Sequence, residues 1–113
     1  METIDREQLK RMRDEDGDLT VVDVLGADSY EEAHLPGAIN VPVGKGFEEK
    51  IETAVPDKTK PVVVYCANEE CQASPKAARV MDRLGYEKVY DYEAGKEDWQ
   101  RAGLPVATGK EPG

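Results

Sequence analysis

The sequence predicts an α/β fold, a single domain built on a mainly parallel sheet. Three observations predict it. Strand-like and helix-like patterns alternate along the chain. The apolar run Val62-Val63-Val64 reads as a strand buried on both faces, as strands of a parallel sheet are. Finally, 113 residues are enough for one hydrophobic core and leave no material for a second, so residues 1–113 are read as one domain.

Each element has its own signal. Asp5 can cap a first helix whose apolar residues, Leu9 and Met12, make one narrow face, and which runs out at Asp16-Gly17-Asp18. Leu19 to Val24 is dense in β-branched residues and reads as a strand ended by Leu25-Gly26. Asp28 or Ser29 can start a short helix through His34, after which Pro36-Gly37 forces a turn before a short strand over Ala38 to Val41. Phe47, Ile51 and Val55 recur every four residues, the mark of a helix that must stop before Pro56. A turn at Pro56-Asp57-Lys58 leads into the valine strand. Ser74-Pro75 then reads as a helix start, a hydroxyl cap followed by a proline without an N–H to leave unpaired. Ala77, Ala78, Met81 and Leu84 share one helical face, and Gly85 ends that helix. Lys88 to Tyr92 reads as the last strand. Gly95 precedes a short helix containing Trp99, closed by Ala102-Gly103-Leu104-Pro105, and residues 107–113 are expected to fray.

Charge and composition narrow the partners. With 24 acidic and 15 basic residues the net charge is −9, which repels nucleic-acid phosphates and anionic lipid. Neither nucleic acid nor a membrane is an expected partner. Met1-Glu-Thr-Ile-Asp-Arg6 lacks the basic-then-apolar order of a signal peptide, and no apolar run approaches spanning length, so a cytoplasmic location is expected. In a reducing compartment, two cysteines point to catalysis or redox chemistry before a structural disulfide. One histidine and a Cys-x4-Cys spacing do not make a zinc site, and no metal or other cofactor is expected.

Cys66 falls where the valine strand ends, at the carboxyl edge where such sheets bind ligands. Seven residues, Ala67, Asn68, Glu69, Glu70, Cys71, Gln72 and Ala73, connect it to the helix start. Amides of this loop and of the first helical turn can converge on an anion above the thiol, which can then act as a thiolate nucleophile. The same position also suits a small buried hydrophobe, because free cysteine is among the most buried residue types.

Three separated segments carry a family likeness. They are Val21-Val-Asp23-Val with Tyr30-Glu-Glu-Ala-His34-Leu-Pro-Gly37-Ala-Ile-Asn40-Val-Pro42; Val63-Val-Tyr-Cys66 with Ser74 and Lys76-Ala-Ala78; and Leu84-Gly-Tyr86 with Gly95 and Trp99-Gln-Arg-Ala-Gly-Leu-Pro105. In this order and spacing the chain resembles a rhodanese domain over nearly its whole length. The resemblance implies a rhodanese-like sheet of about five strands, helices on both faces, and sulfur transfer through a persulfide on Cys66, cradled by the amides of Ala67 to Ala73. It implies as partners a small sulfur donor such as thiosulfate or polysulfide with a thiol or cyanide-like acceptor, or a persulfide-carrying protein. The alternative is a non-catalytic rhodanese-like binding module, or a thiol redox sensor using Cys66 and Cys71. Asp23, His34, Gly37 and Trp99 match family positions and read as fold determinants.

The chain also departs from the family. Many rhodanese loops run cysteine, two residues, glycine, one residue, arginine, serine; the loop here is two residues longer and has neither the glycine nor the arginine. Leu25 stands where an arginine commonly follows the Asp-Val pair. Thiosulfate, a small dianion, is therefore expected to be a poor donor. Related folds that act on phosphate or arsenate place an arginine six positions after the cysteine, where this chain has Gln72.

Local electrostatics predict the state of the thiol. A helix N-terminus favours a thiolate by up to ~2 kcal/mol, roughly one pKa unit or somewhat more. Glu69 and Glu70, at roughly 8 Å in a solvated loop, each oppose it by about 0.5–1 kcal/mol. The near-cancellation predicts a Cys66 pKa modestly below the free value of ~8.5. Cys71 is read as a possible resolving thiol, able to displace sulfide from a Cys66 persulfide and leave a disulfide.

Overall fold

β4, Val62–Tyr65, is buried at every residue, which suits only the centre of a sheet. The computed structural model describes residues 1–113. In it β4 pairs with β2 (Thr20–Asp23) on one side and β5 (Val89–Tyr92) on the other. β3 (Ile39–Asn40) extends the sheet beyond β2, and β1 (Glu2–Ile4) extends it beyond β5. Every pairing is parallel, and the strand order is β1-β5-β4-β2-β3. The expected five-stranded sheet is present. β1 has no counterpart in the sequence reading because it is a three-residue edge strand with only Ile4 buried, and its structure comes from pairing with β5.

Side chains alternate along β4, so Val62, Val64 and then Cys66 face one way while Val63 and Tyr65 face the other. The first face is covered by α3 (Phe47–Ala54) and α4 (Ala73–Arg83) through Phe47, Ile51, Ala77, Ala78 and Met81. The second is covered by α1 (Arg6–Glu15) and α5 (Gly95–Arg101) through Leu9 and Trp99. A short α2 (Ala27–Glu32) follows β2. Helices thus lie on both faces, as expected.

The Asp5 cap forms as read. Its Oδ1 accepts from Gln8 N at 2.8 Å while Gln8 Oε1 accepts from Asp5 N at 2.9 Å, a capping box. Three other helix starts differ. α2 begins at Ala27 and ends before His34, and Ser29 lies inside it with its Oγ accepting from Lys96 Nζ at 2.8 Å. α4 begins at Ala73 with Gln72 at its N-cap; Ser74 is buried in the first turn, turned toward Cys66 instead of capping. Pro75 still falls where an N–H would have no helical partner. Gly95 is the first residue of α5 itself. Gly85 closes α4 as expected, at φ +95.

Residues 107–113, expected to fray, are instead tied to the segment after α2. Ala107 and His34 exchange backbone hydrogen bonds of 2.9 and 2.8 Å, Gly109 N donates to Glu31 O at 2.8 Å, and Gly37 N donates to Pro112 O at 2.7 Å. The buried His34 ring stacks on Tyr30, and its Nε2 lies 3.0 Å from the Glu111 carbonyl oxygen. These are contacts across more than seventy residues of chain, made on the tail's side by backbone atoms, so a polar tail sequence carries no sign of them.

Candidate functional site

Cys66 is the first residue beyond β4 and has no exposed surface. Its thiol has two neighbours within hydrogen-bonding reach: Ser74 Oγ at 3.5 Å and the Cys71 carbonyl oxygen at 3.6 Å. Both cysteines are free thiols, Cys66 buried and Cys71 half-buried against the same core. Because Ala73 is already helical, the loop proper is Ala67 to Gln72.

The loop is anchored from behind by α5. Lys96 N donates to Cys66 O and Glu97 N to Ala67 O, each at 2.9 Å. This contact requires glycine at position 95. A Cβ there would stand 2.5 Å from Cys66 O and 2.7 Å from Ala67 C, and the backbone sits at φ +71. The front of the loop is anchored by Asn68, whose Oδ1 accepts from Glu70 N at 3.0 Å and Cys71 N at 3.2 Å, while its Nδ2 donates to Glu97 Oε2 at 2.8 Å.

This arrangement narrows the expected amide cradle. The Glu70 and Cys71 amides are occupied by Asn68. The amides that act on sulfur are those of Ala67 and Ala73, toward Cys71, and of Ser74, toward Cys66. Among the loop residues named from sequence, Cys66, Cys71 and Ala73 come together, whereas Glu69, Glu70 and Gln72 are exposed at the outer rim.

The expected modest acidification of Cys66 is reversed. Burial pushes its thiol up, the neighbouring Cys71 thiol adds to this, and the Ser74 hydroxyl and amide offset only part. Loop charges and a helix terminus do not contain the removal of water that comes with packing in the core. For Cys71 burial also pushes upward, but the Cys66 thiol and the amides of Ala73 and Ala67 outweigh it and bring the group below its ordinary range. In the resting site a negative charge is better placed on Cys71 than on Cys66.

One titratable group at this site escaped the sequence reading. Asp91 of β5 is 1% exposed, and its Oδ1 has no hydrogen-bond partner. It pairs in register with Val64, so it shares the Cys66 face of the sheet. Burial holds its carboxyl above the ordinary range, opposed by the adjacent Ser74 hydroxyl. A carboxylate inside the otherwise apolar and aromatic strand Val89–Tyr92 was the available signal.

Asp23, by contrast, is fully partnered. Its Oδ1 accepts from Leu25 N at 2.9 Å and its Oδ2 from Tyr65 OH at 3.0 Å, and burial still raises it. Trp99 Nε1 donates to Pro105 O at 2.8 Å. Beside the outer rim of the loop lies an open groove of ≈470 Å³ whose walls include Asn68, Glu69, Glu70, Glu97, Asp98 and Arg101. Its one cation, Arg101, is 3.6 Å from Glu97.

Residues 5–102 match the family model of the rhodanese-like domain. The chain is 35% identical over 108 residues to the HTH-type transcriptional regulator Rv0324 of Mycobacterium tuberculosis, a match covering 96% of this chain and 46% of that protein. It is 36% identical over 83 residues to the thiosulfate sulfurtransferase GlpE of Coxiella burnetii, covering 74% and 73% of the two chains. The crystal structure of the BH2092 protein from Bacillus halodurans aligns with a TM-score of 0.84 at 28% identity, over 96% of this chain and 78% of that one. The chain thus spans less than half the length of Rv0324.

Proposed function

This chain belongs to the rhodanese-like domain family, and from that premise we propose that it is a sulfurtransferase carrying sulfane sulfur as a persulfide on Cys66. The observation that carries the proposal is the placement of a thiol at the end of the central strand, beneath the first turn of α4, with the Ser74 amide toward the sulfur and the Ser74 hydroxyl oxygen 3.5 Å away, where it accepts from the thiol. Cys66 Sγ attacks the outer sulfur of a donor, the donor's own bond to that sulfur breaks, and the sulfur stays on Cys66 until an acceptor removes it. The Ser74 donors stabilise the anionic persulfide as they would a thiolate.

Donor class follows from charge and cover. The loop has no arginine, and carboxylates dominate its rim and the neighbouring groove. A polysulfide end or a protein persulfide suits this rim better than dianionic thiosulfate. Because Cys66 has no exposed surface, the donor reaches it when residues 67–72 shift, while Cys66 at the end of β4, Ser74 on α4 and Asp91 on β5 stay fixed.

Cys71 offers a second route. Its sulfur attacks Cys66 Sγ of the persulfide while the Cys71 thiol proton passes to the outer sulfur, forming the Cys66–Cys71 disulfide and releasing the outer sulfur as hydrosulfide. In non-reducing mass analysis, oxidised wild type then loses two hydrogens and Cys71→Ser does not; an unchanged wild-type mass ends this role for Cys71.

The other reading, a non-catalytic binding module or thiol redox sensor using Cys66 and Cys71, is favoured by the burial of Cys66 and by the regulator among the relatives. One measurement separates the two. Purified protein mixed with a sulfur donor gains a single cyanide-removable sulfur on Cys66 if it is a sulfurtransferase. No gain in mass with thiosulfate, polysulfide or a persulfide donor overturns the proposal in favour of the sensor.

A further inference from the structure

The carboxyl of Asp91 is the one buried side-chain group in the molecule with an oxygen lacking any hydrogen-bond partner. A carboxylate in that condition is costly to a fold and needs a reason. Its surroundings supply one. Asp91 faces the same side of the sheet as Cys66, the Ser74 hydroxyl lies beside it, and that hydroxyl is also the atom 3.5 Å from Cys66 Sγ. Cys66 and Ser74 are fully buried and Asp91 is 1% exposed, so thiol, hydroxyl and carboxyl lie together in the interior.

We propose that Asp91 is a positioning residue for the sulfur chemistry, the group that receives the Cys66 thiol proton through Ser74 when the sulfur is loaded and returns it on unloading. The proposal rests on the sulfur-transfer reading for its physiological use, though not for its test.

With a persulfide anion, R–S–S⁻, as donor, a bond forms between Cys66 Sγ and the outer sulfur, and the donor S–S bond breaks to release R–S⁻. The thiol proton moves to Ser74 Oγ as the Ser74 proton moves to the Asp91 carboxylate. The products are Cys66–S–S⁻, R–S⁻ and a neutral Asp91 carboxyl, with the same total charge as the reactants. When an acceptor thiolate takes the outer sulfur as its own persulfide anion, the proton returns along the same path and restores the Cys66 thiol. The site thereby never holds a persulfide anion and an Asp91 carboxylate together. The other charged or titratable groups that reach Asp91 are Glu93 beyond the strand, which favours its protonated form, Arg79 of α4, which opposes it, and Cys71 across the loop.

The test exploits an opposition of sign. If Asp91 is only a nearby negative charge, Asp91→Asn removes repulsion and makes Cys66 more reactive at neutral pH. If Asp91 accepts the proton, the same change makes Cys66 less reactive. The experiment measures alkylation of Cys66 by iodoacetamide against pH, in a Cys71→Ser background so that one thiol reports. The expected result is a fall of about tenfold or more at pH 7 for Asp91→Asn. A rate plateau below the thiol's own titration should also be lost, leaving a rate that climbs steadily with pH. Ser74→Ala, which breaks the path while leaving Asp91 in place, should show the same profile. The double variant should be no slower than the slower single one, and Asp91→Ser, which also removes the carboxylate, decides the matter should Asp91→Asn not fold. Unchanged or faster alkylation in the folded variant overturns the proposal. A slowed rate in protein that takes up no donor sulfur by mass would sustain the role of Asp91 and overturn sulfur transfer instead.

Discussion

Replacing Gly95 by alanine tests whether α5 fixes the Cys66 loop. The new Cβ would meet Cys66 O at 2.5 Å, Ala67 C at 2.7 Å and Ala67 O at 2.8 Å, all backbone atoms that cannot rotate away. Position 95 also holds φ +71, where an L-residue costs about 1–2 kcal/mol. Relieving the clash pushes the loop off the α5 amides and breaks the Lys96 N to Cys66 O and Glu97 N to Ala67 O bonds, each worth about 1 kcal/mol net. Together the loss is about 3–4 kcal/mol. For a domain of this size that corresponds to a melting temperature lower by about 15 °C in thermal unfolding followed by circular dichroism. Sulfur loading, measured well below the melting temperature, should fall as well, because the displaced carbonyl belongs to Cys66. Gly17→Ala is the control: nothing lies within 4 Å of a Cβ there, and the change should fall within about 0.5 kcal/mol of wild type. A drop of less than about 5 °C for Gly95→Ala would refute the anchoring role.

Other perturbations read other parts of the site. Changing Glu69 and Glu70 together to glutamine should improve thiosulfate turnover about tenfold at low ionic strength, since two carboxylates at roughly 8 Å repel a dianion by about 1–2 kcal/mol after screening; unchanged turnover against an unchanged persulfide donor rate removes charge as the basis of donor choice. Asn68→Ala should cost about 1–2 kcal/mol in denaturant unfolding, because it releases the Glu70 and Cys71 amides and the tie to Glu97. Asp91 gives a pH signature in stability. Its carboxyl is held above the ordinary value of 3.8 in the folded protein, so as pH rises the unfolded chain loses this proton first and the fold loses stability until the folded group has ionised too. Asp91→Asn lacks this loss, and its melting temperature relative to wild type should be higher at pH 7 than at pH 3.5. A difference that stays constant with pH would mean that Asp91 is not perturbed.

The fold was legible wherever a signal is local. The valine run, the Asp5 cap, the four-residue spacing of Phe47, Ile51 and Val55, and Gly85 each act through neighbours in sequence, and each is where it was read. What escaped depends on partners far along the chain. β1 exists through β5, the tail through His34 and Gly37, and Ser74 turned from a cap into a buried neighbour of Cys66 because the helix starts two residues earlier, with Gln72 as its cap. The position of the candidate nucleophile was legible for the same reason as the strand that carries it. Its acidity was not, because the dominant influence is desolvation by burial in the core, which no count of nearby charges contains.

Asp91 marks the boundary between the two kinds of information. Alternation along a strand is fixed by sequence, so Val64 and Cys66 necessarily share a face, as do Val89 and Asp91. Whether those two faces coincide depends on the register of β5 against β4, which pairs Val64 with Asp91 and has no local determinant in either strand. A slip of one residue would place Tyr90 or Tyr92 beside Val64 and turn the carboxyl toward α1 and α5. The pairing that brings an acid to the Cys66 face is therefore set by the same packing that buries Val62, Val64 and Val89 beneath α3 and α4. A proton acceptor for the thiol and the hydrophobic core of the domain are two consequences of one register.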